Sequence, residues 1–305
     1  MSDAVFFPGL VPANYGSVAD FILHSPYARR RYAEVGEILG YDLVAAFRDA
    51  SINDSEVFQQ AFLALYLALT DLAEQRSGLR AALTAGQSFG GLVAAVYAGA
   101  LSLADSTTLI HRSTRHEVAY FASLPVPVGC FFFGGLSRAQ VSTMIDEFAD
   151  DGRLVELSVE FDNGISAVSA TMPTIDLLKT WVADRGGRAF HTLTRAEHCP
   201  SVAPLRELVS AEYDRFTWRE CRIPLVSDID GSLLRDGETV KVHLLDGWVA
   251  PARWSTITDG LTAGGARRVY VVGPRTMFGR VTKARFETVT LSPRRVMTEM
   301  TAAQS

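Results

Sequence analysis

Leu79-Arg80-Ala81-Ala82-Leu83-Thr84-Ala85, then Gly86-Gln87-Ser88-Phe89-Gly90, then Gly91-Leu92-Val93-Ala94-Ala95-Val96-Tyr97-Ala98-Gly99-Ala100 decide the fold. The first run reads as a buried strand, and the last carries small and apolar residues at helical spacing. Strand, sharp glycine turn and helix in that order form the unit of a parallel α/β sheet, with a site at the strand's C-terminal end. Glycines on both sides of a serine suit a nucleophile elbow. Such a strained turn has no room for neighbouring side chains, pushes the hydroxyl outward, and aims helix N–H groups at a developing oxyanion. The plainer alternative is a glycine-rich turn bearing a solvent-facing serine.

Upstream, Ala4-Val5-Phe6-Phe7 reads as a short buried strand running into Pro8-Gly9. Residues 17–48 have helical periodicity broken near His24-Ser25-Pro26, and residues 56–74 read as a long buried helix. Downstream, residues 126–133 form a strand and 137–148 a helix capped by Ser137. Residues 154–161 and 165–170 pair as a hairpin around Asp162-Asn163-Gly164, followed by a helix over 174–185, broken at Gly186-Gly187, and a strand over 188–193. This β-α-β-β-α-β order predicts a ferredoxin-like subdomain. Residues 202–216 then read as helix, 223–227 as strand, Asp230-Gly231 as a turn, 248–261 as mainly helix, and 268–272 as a strand ended by Gly273-Pro274. The expected organisation is one α/β core with a parallel sheet over residues 1–124 and 196–305, interrupted by the ferredoxin-like (βαββαβ) insert at 125–195.

Composition narrows the class. A chain of 305 residues with 48% hydrophobic and 21% charged residues has ample material for a core, which excludes a disordered, collagen-like or disulfide-framework protein. Three widely spaced cysteines, Cys130, Cys199 and Cys221, suit a reducing compartment and argue against a structural zinc site, so no metal is expected. The formal charge of −5 gives no reason to expect nucleic acid or an anionic membrane as partner. Residues 1–7 lack the features of a signal peptide, and no apolar run reaches the roughly 18 residues of a membrane span. A cytoplasmic, monomeric globular protein is expected.

A serine nucleophile needs a base, and six histidines are available: His24, His111, His116, His191, His198 and His243. His198 lies in Arg195-Ala196-Glu197-His198-Cys199-Pro200-Ser201, a loop between the insert's last strand and a helix, from which an imidazole is free to project into a cleft. A rival assignment is an ordinary esterase with the order Ser88, Asp228 or Asp230, His243. It predicts that activity depends on His243 and not on His198.

With these landmarks in hand, the chain resembles the malonyl-CoA:acyl carrier protein transacylases and the related acyltransferases of polyketide synthases, most closely the stand-alone (trans-acting) ones. The resemblance runs from about Val5 to Val281. It is carried by Phe7-Pro8-Gly9, by Gly86-Gln87-Ser88-Phe89-Gly90 followed by Gly99-Ala100-Leu101-Ser102, by His198-Cys199-Pro200, by Ile223-Pro224-Leu225-Val226-Ser227 and by Val272-Gly273-Pro274. It implies an α/β-hydrolase-like core with a ferredoxin-like insert. It also implies an acyl-accepting Ser88, a proton-accepting His198 oriented by a main-chain carbonyl or side chain near Asp228, and an oxyanion hole from the backbone N–H groups of Leu10 and Phe89. Gln59 and Gln87 would support the site. The implied reaction is ping-pong transfer between pantetheine thiols, with a phosphopantetheine-bound acyl thioester as substrate and no separate cofactor.

The chain departs from that pattern in two places. Leu10 and Val11 stand where the family has Gln and Gly, although a backbone N–H survives either change. Counting from Gly99-Ala100-Leu101-Ser102, the arginine that clamps the free carboxylate of a malonyl group should fall at position 113, which is Ser113. Arg112 and Arg115 flank it, but one and two residues away on a helix they point roughly 100° and 200° elsewhere. A buried carboxylate without a cation costs several kcal/mol, so an acyl group without a free carboxylate is expected. Its pocket would lie near Ser113, His116, Glu117 and Tyr120. Glu117 could face an amine, which would suit an aminoacyl or peptidyl group; the alternative is a solvated glutamate.

Residues 266–295 hold eight basic residues against Glu287 alone, a surplus of seven, so the remaining chain carries −12. Arg268, Arg275, Arg280 and Lys283 could therefore bind an acidic acyl carrier protein, or the phosphates of a coenzyme A thioester. The expected function is an acyltransferase moving a non-malonyl acyl group through acyl-Ser88 to an acyl carrier protein in polyketide, and hence antibiotic, biosynthesis. The alternatives are an editing acyl-carrier-protein hydrolase of the same fold and a malonyl-CoA:acyl carrier protein transacylase.

Overall fold

The computed structural model describes residues 2–10, 13–51, 54–161, 164–274, 282–283 and 285–302. Strand β1 (Ser2–Phe7) leads into four helices, α1 (Ala19–His24), α2 (Pro26–Leu39), α3 (Leu43–Asp49) and α4 (Ser55–Arg76). The break near His24-Ser25-Pro26 is the α1–α2 junction. Pro26 takes the first position of α2, where a missing N–H costs nothing. In α4 every residue from Ala61 to Leu69 is buried. An apolar surface all round, rather than a stripe, marks a helix enclosed by the fold.

Strand β2 (Ala81–Gly86), helix α5 (Phe89–Ala98) and helix α6 (Leu103–Ser123) follow, with the Ser102 side chain capping α6. Next come β3 (Val128–Gly134), α7 (Arg138–Asp150), β4 (Val155–Glu160), β5 (Ile165–Thr171), α8 (Met172–Asp184) and β6 (Arg188–Leu193). Ser137 and Gln140 cap α7 reciprocally. The chain continues through α9 (Ala203–Tyr213), β7 (Leu225–Val226), β8 (Leu233–Leu234), α10 (Gly237–Asp246), β9 (Ala252–Arg253), α11 (Trp254–Ala263), β10 (Ala266–Val272), β11 (Glu287–Leu291) and α12 (Pro293–Ala302).

Two sheets organise these elements. The first has six strands in the order β11-β10-β1-β2-β7-β8, parallel except for the β7–β8 pair. Ala4, Val5, Phe6 and Phe7 are fully buried, as a strand covered on both faces requires. Phe7 pairs with Gly86 and Phe6 with Val271, so the C-terminal ends of β1, β2 and β10 share one edge. Ser88 lies just beyond that edge. Ala85 pairs with Val226, so the chain leaving β7 passes beside the chain leaving β2.

The second sheet has the order β6-β3-β5-β4-β9. Its first four strands are antiparallel and, with α7 and α8, make the ferredoxin-like arrangement. Phe131 and Phe133 face α7 and α8 in a core of their own, whereas Cys130 and Phe132 turn to the main core, the period of two expected of a strand. The fifth strand comes from outside residues 125–195: β9 pairs parallel with Val159 and Glu160 and ties the two sheets together.

Several boundaries differ from the sequence reading. Helix is absent over 248–253, because Pro251 interrupts it and Ala252–Arg253 join a sheet. The strand expected over 223–227 is confined to Leu225–Val226. Helix α10 and the strands β8, β9 and β11 went unread. The Asp162-Asn163 part of the hairpin turn lies outside the described residues, while Gly164 has the positive φ, 73°, that such a turn needs. Among the described residues, no helix is long and apolar enough to cross a membrane.

Candidate active site

Steric necessity explains the glycines that flank Ser88. A Cβ on Gly86 would sit 2.0 Å from the Gly90 carbonyl oxygen, and one on Gly90 would sit 2.0 Å from that of Phe7. With both removed, the chain turns from β2 into α5 tightly enough to leave Ser88 at φ 57° and ψ −129°. A non-glycine residue holds such values only where its surroundings impose them. His198, the one other non-glycine residue with positive φ among those described, has φ 54°. The two strained residues meet: Ser88 Oγ lies 2.7 Å from His198 Nε2.

The other imidazole nitrogen, Nδ1, is 2.6 Å from the carbonyl oxygen of Gly247, at the end of α10. A carbonyl can only accept, so Nδ1 carries the proton and Nε2 is left bare to accept the Ser88 hydroxyl proton. This corrects the expectation that His198 is oriented from the neighbourhood of Asp228. Asp228 instead accepts the Ser88 backbone N–H through Oδ2 at 3.0 Å. Its Oδ1 faces His243 Nε2 at 3.4 Å, both side chains being buried. His243 is therefore turned to Asp228, while the Ser88 hydroxyl meets His198, which removes the geometry an esterase of the order Ser88, Asp228, His243 needs. Asp230 closes its own turn by accepting from Ser232 at 2.7 and 3.0 Å.

The loop after β1 lies against Ser88. A Cβ on Gly9 would come 3.3 Å from Ser88 Cβ, and Tyr66 Oη donates to the Gly9 carbonyl at 3.1 Å. The Leu10 N–H has no acceptor among the described residues. Phe89 is the first residue of α5, where an N–H has no partner within the helix. Two N–H groups close to Ser88 are thus uncommitted, while that of Ser88 itself is taken. Val11 lies outside the described residues.

A cavity of about 40 Å³ is lined by Gln59, Leu92, Ser113, Glu117, Tyr213 and Trp248 among others. Of these, Leu92 is one helical turn beyond Ser88, and Trp248 follows Gly247. Ser113 is buried and its hydroxyl has no partner among the described residues. Gln59 donates to Ser55 Oγ at 2.9 Å, and Ser55 Oγ donates to Glu117 Oε2 at 3.3 Å. Gln87 is buried with both amide atoms unpartnered among the described residues.

Glu117 is neither solvated nor free to receive an amine, as the sequence reading had allowed. Its Oε1 is 2.9 Å from Arg195 Nε, which also lies 2.7 Å from Glu197 Oε1. Burial pushes the Glu117 carboxyl above its usual range, and Arg195 opposes that push. His116 and Tyr120 do not line the cavity: His116 Nε2 faces Glu212 at 3.2 Å, and Tyr120 Oη donates to the Ser201 carbonyl. Arg112 is also engaged by Glu212, at 3.3 Å, and Arg115 is exposed, so neither supplies the cation missing at Ser113.

Arg195 and Glu197 were overlooked as site residues, although they immediately precede His198. Gly247 could not have been found by side-chain type, because any residue supplies a carbonyl. Of the basic segment, Arg275 and Arg280 lie outside the described residues, and Lys283 is exposed. Arg268 pairs with Glu287 at 2.9 Å and lies 3.8 Å from Asp3. In register with Asp3, it sits toward the end of the sheet opposite Ser88, away from where a carrier protein would deliver a thioester.

No family model matches the chain. Individual proteins do. The malonyl CoA-acyl carrier protein transacylase of Escherichia coli (strain K12) is 25% identical over 309 residues, covering 98% of both chains. The crystal structure of FabD from Acinetobacter baumannii superposes with a TM-score of 0.86 at 20% identity, covering 99% of this chain and 98% of that one. A type II polyketide synthase malonyl-transacylase, solved in complex with its acyl-carrier protein, gives 0.84 at 20% identity, covering 96% of each. Along its whole length, in sequence and in fold, the chain is thus similar to the malonyl-CoA:acyl carrier protein transacylases, around a serine elbow that meets a loop histidine.

Proposed function

We propose that the chain transfers an acyl group lacking a free carboxylate from a pantetheine thioester to an acyl carrier protein, by way of an acyl ester on Ser88. The observation that carries this reading is the 2.7 Å contact of Ser88 Oγ with an imidazole whose opposite nitrogen is fixed on the Gly247 carbonyl. His198 Nε2 takes the hydroxyl proton as Oγ attacks the thioester carbon. The oxyanion is received by the N–H groups of Leu10 and Phe89, each lowering the barrier by on the order of 3 kcal/mol. As the C–S bond breaks, the same proton passes from Nε2 to the departing sulfur. A second pantetheine thiol then gives its proton to Nε2 and attacks the ester, and collapse returns a proton to Ser88 Oγ. A carbonyl partner for Nδ1 fixes the tautomer without placing a carboxylate charge on the base.

The acyl preference rests on Ser113 and on the state of Arg195. No guanidinium lines the cavity among the described residues, and Arg195, which contacts the lining residue Glu117, is held between two carboxylates. A substrate carboxylate entering beside Glu117 and Glu197 would meet like charge without a cation of its own. Aminoacyl and peptidyl groups belong to this class when the carboxyl they carry is the one consumed in the thioester. The donor is a carrier protein or coenzyme A thioester, and the proposed setting is polyketide biosynthesis, which the likeness to a type II polyketide synthase malonyl-transacylase supports. We further read residues 1–124 and 196–305 as the acyltransferase core and residues 125–195 as its insert, in a cytoplasmic monomer. Exposed Lys283, with Arg275 and Arg280, is the proposed contact for the acidic partner.

The test is the lifetime of the acyl-enzyme in buffer, with and without an acceptor carrier protein. A transferase keeps its ester until the acceptor arrives; rapid loss to water alone would make the protein an editing hydrolase instead.

A further inference from the structure

Helix α10 touches the site at two points, and only one of them is part of the mechanism above. Its C-terminal residue neighbour Gly247 holds His198 Nδ1, while one turn earlier His243 faces Asp228, which in turn accepts the Ser88 N–H. The Gly247 N–H donates to the His243 carbonyl at 2.9 Å, so the two points belong to one helical turn. Asp228 is itself held in place. Ser227 Oγ accepts from the N–H groups of Ile229 and Asp230 at 3.2 Å each, and the Arg253 N–H donates to the Asp228 carbonyl at 3.3 Å. The carboxylate thus projects from a fixed turn at the end of β7 toward the strained backbone of Ser88.

We propose that His243 is a positioning residue for the nucleophile: it holds the Asp228 carboxylate against the Ser88 N–H, so that α10 braces both the elbow and the base. A buried carboxylate with one oxygen on the Ser88 N–H needs a partner for the other, or it turns away toward water. The imidazole beside Oδ1 is that of His243, whose side chain is only 7% exposed. Burial favours the neutral imidazole, against the negative charge of Asp228, Asp230 and Asp246, and His243 Nε2 stands 3.4 Å from Oδ1. Losing the brace frees Ser88 to leave φ 57°, and the hydroxyl then drifts from Nε2. This inference rests on Ser88 being the nucleophile.

The test is the rate at which a fluorophosphonate labels Ser88, read by intact mass and split into probe affinity and maximal rate, alongside melting temperature. His243→Phe is expected to lower the maximal rate about tenfold or more with probe affinity unchanged, and His243→Gln, which keeps a donor, to stay within about threefold of wild type. Asp228→Ala is expected to lower the rate at least as far, with no further loss when His243→Phe is added, because His243 then has nothing to hold. If His243→Phe does not fold, the contrast between His243→Gln and Asp228→Ala decides. A folded His243→Phe that labels at the wild-type rate, a His243→Gln as slow as Asp228→Ala, or additive losses would each overturn the brace. Wild-type protein that takes no label at Ser88 would overturn the nucleophile reading and the brace with it.

Discussion

Replacing Arg195 by methionine removes the only cation in contact with Glu117 among the described residues. Arg195 is 15% exposed in its side chain, Glu117 8% and Glu197 22%, so the cluster is largely desolvated. Methionine fills much of the vacated volume, and the loss is therefore mainly electrostatic. Leaving a buried charge without its partner costs about 3–5 kcal/mol, and here two carboxylates share the loss. At about 2 °C per kcal/mol for a chain of this size, the melting temperature is expected to fall by about 6–10 °C near pH 8. The loss depends on pH, with a sign that burial fixes. The folded Glu117 carboxyl already sits above its ordinary value of 4.5, and without Arg195 it rises further. The folded state then holds a proton that the unfolded chain has released, so the penalty is absent below the unfolded value and grows as pH rises through the folded one. Urea unfolding of variant and wild type near pH 5.5 and pH 8 should therefore give a difference that shrinks at the lower pH. A loss below about 1 kcal/mol near pH 8, or an equal loss at both pH values, would refute this reading of the cluster.

Other perturbations have equally definite outcomes. Glu117→Gln leaves Arg195 on Glu197 and is expected to cost under about 2 kcal/mol by the same unfolding measurement. Gly90→Ala drives a Cβ to 2.0 Å from the Phe7 carbonyl and should give insoluble or strongly destabilised protein, whereas Gly91→Ala, 3.2 Å from the end of the Leu244 side chain, should melt within a few degrees of wild type. His198→Ala should lower the rate of Ser88 acylation by about 10²–10⁴-fold without changing the melting temperature by more than a few degrees, as followed by intact mass over time. Ser137→Ala removes the side-chain cap of α7 and should cost about 1 kcal/mol in unfolding free energy with acylation unchanged.

The elbow could be read from the sequence because its requirement is local: Gly86 and Gly90 are needed wherever a strand turns that sharply into a helix. The ferredoxin-like order was legible for the same reason, since alternation in its strands and the Ser137 cap do not depend on distant residues. What failed depends on contacts made across the chain. Strands β8 and β9, of two residues each, are too short to show a period, and they form only because a neighbouring edge is available. The partner of His198 Nδ1 is a carbonyl, which leaves no trace in residue type. Glu117 looked like a free carboxylate on the helix sequence, and only the fold brings Arg195 against it. His116 and Tyr120 share a helix with Ser113, yet the direction in which α6 faces α9 turns them toward Glu212 and Ser201.

The most direct measurement is intact mass, with peptide mapping at Ser88, after brief incubation with malonyl thioesters and with acyl thioesters that carry no free carboxylate, offered on coenzyme A and on carrier protein. Ser88→Ala serves as the blank. The expected result is a non-carboxylated adduct on Ser88, with malonyl loading slower by about 150-fold or more, the equivalent of the roughly 3 kcal/mol or more that a buried carboxylate left without its cation costs. A malonyl adduct formed as readily as any other, or an adduct that persists in Ser88→Ala, would contradict it.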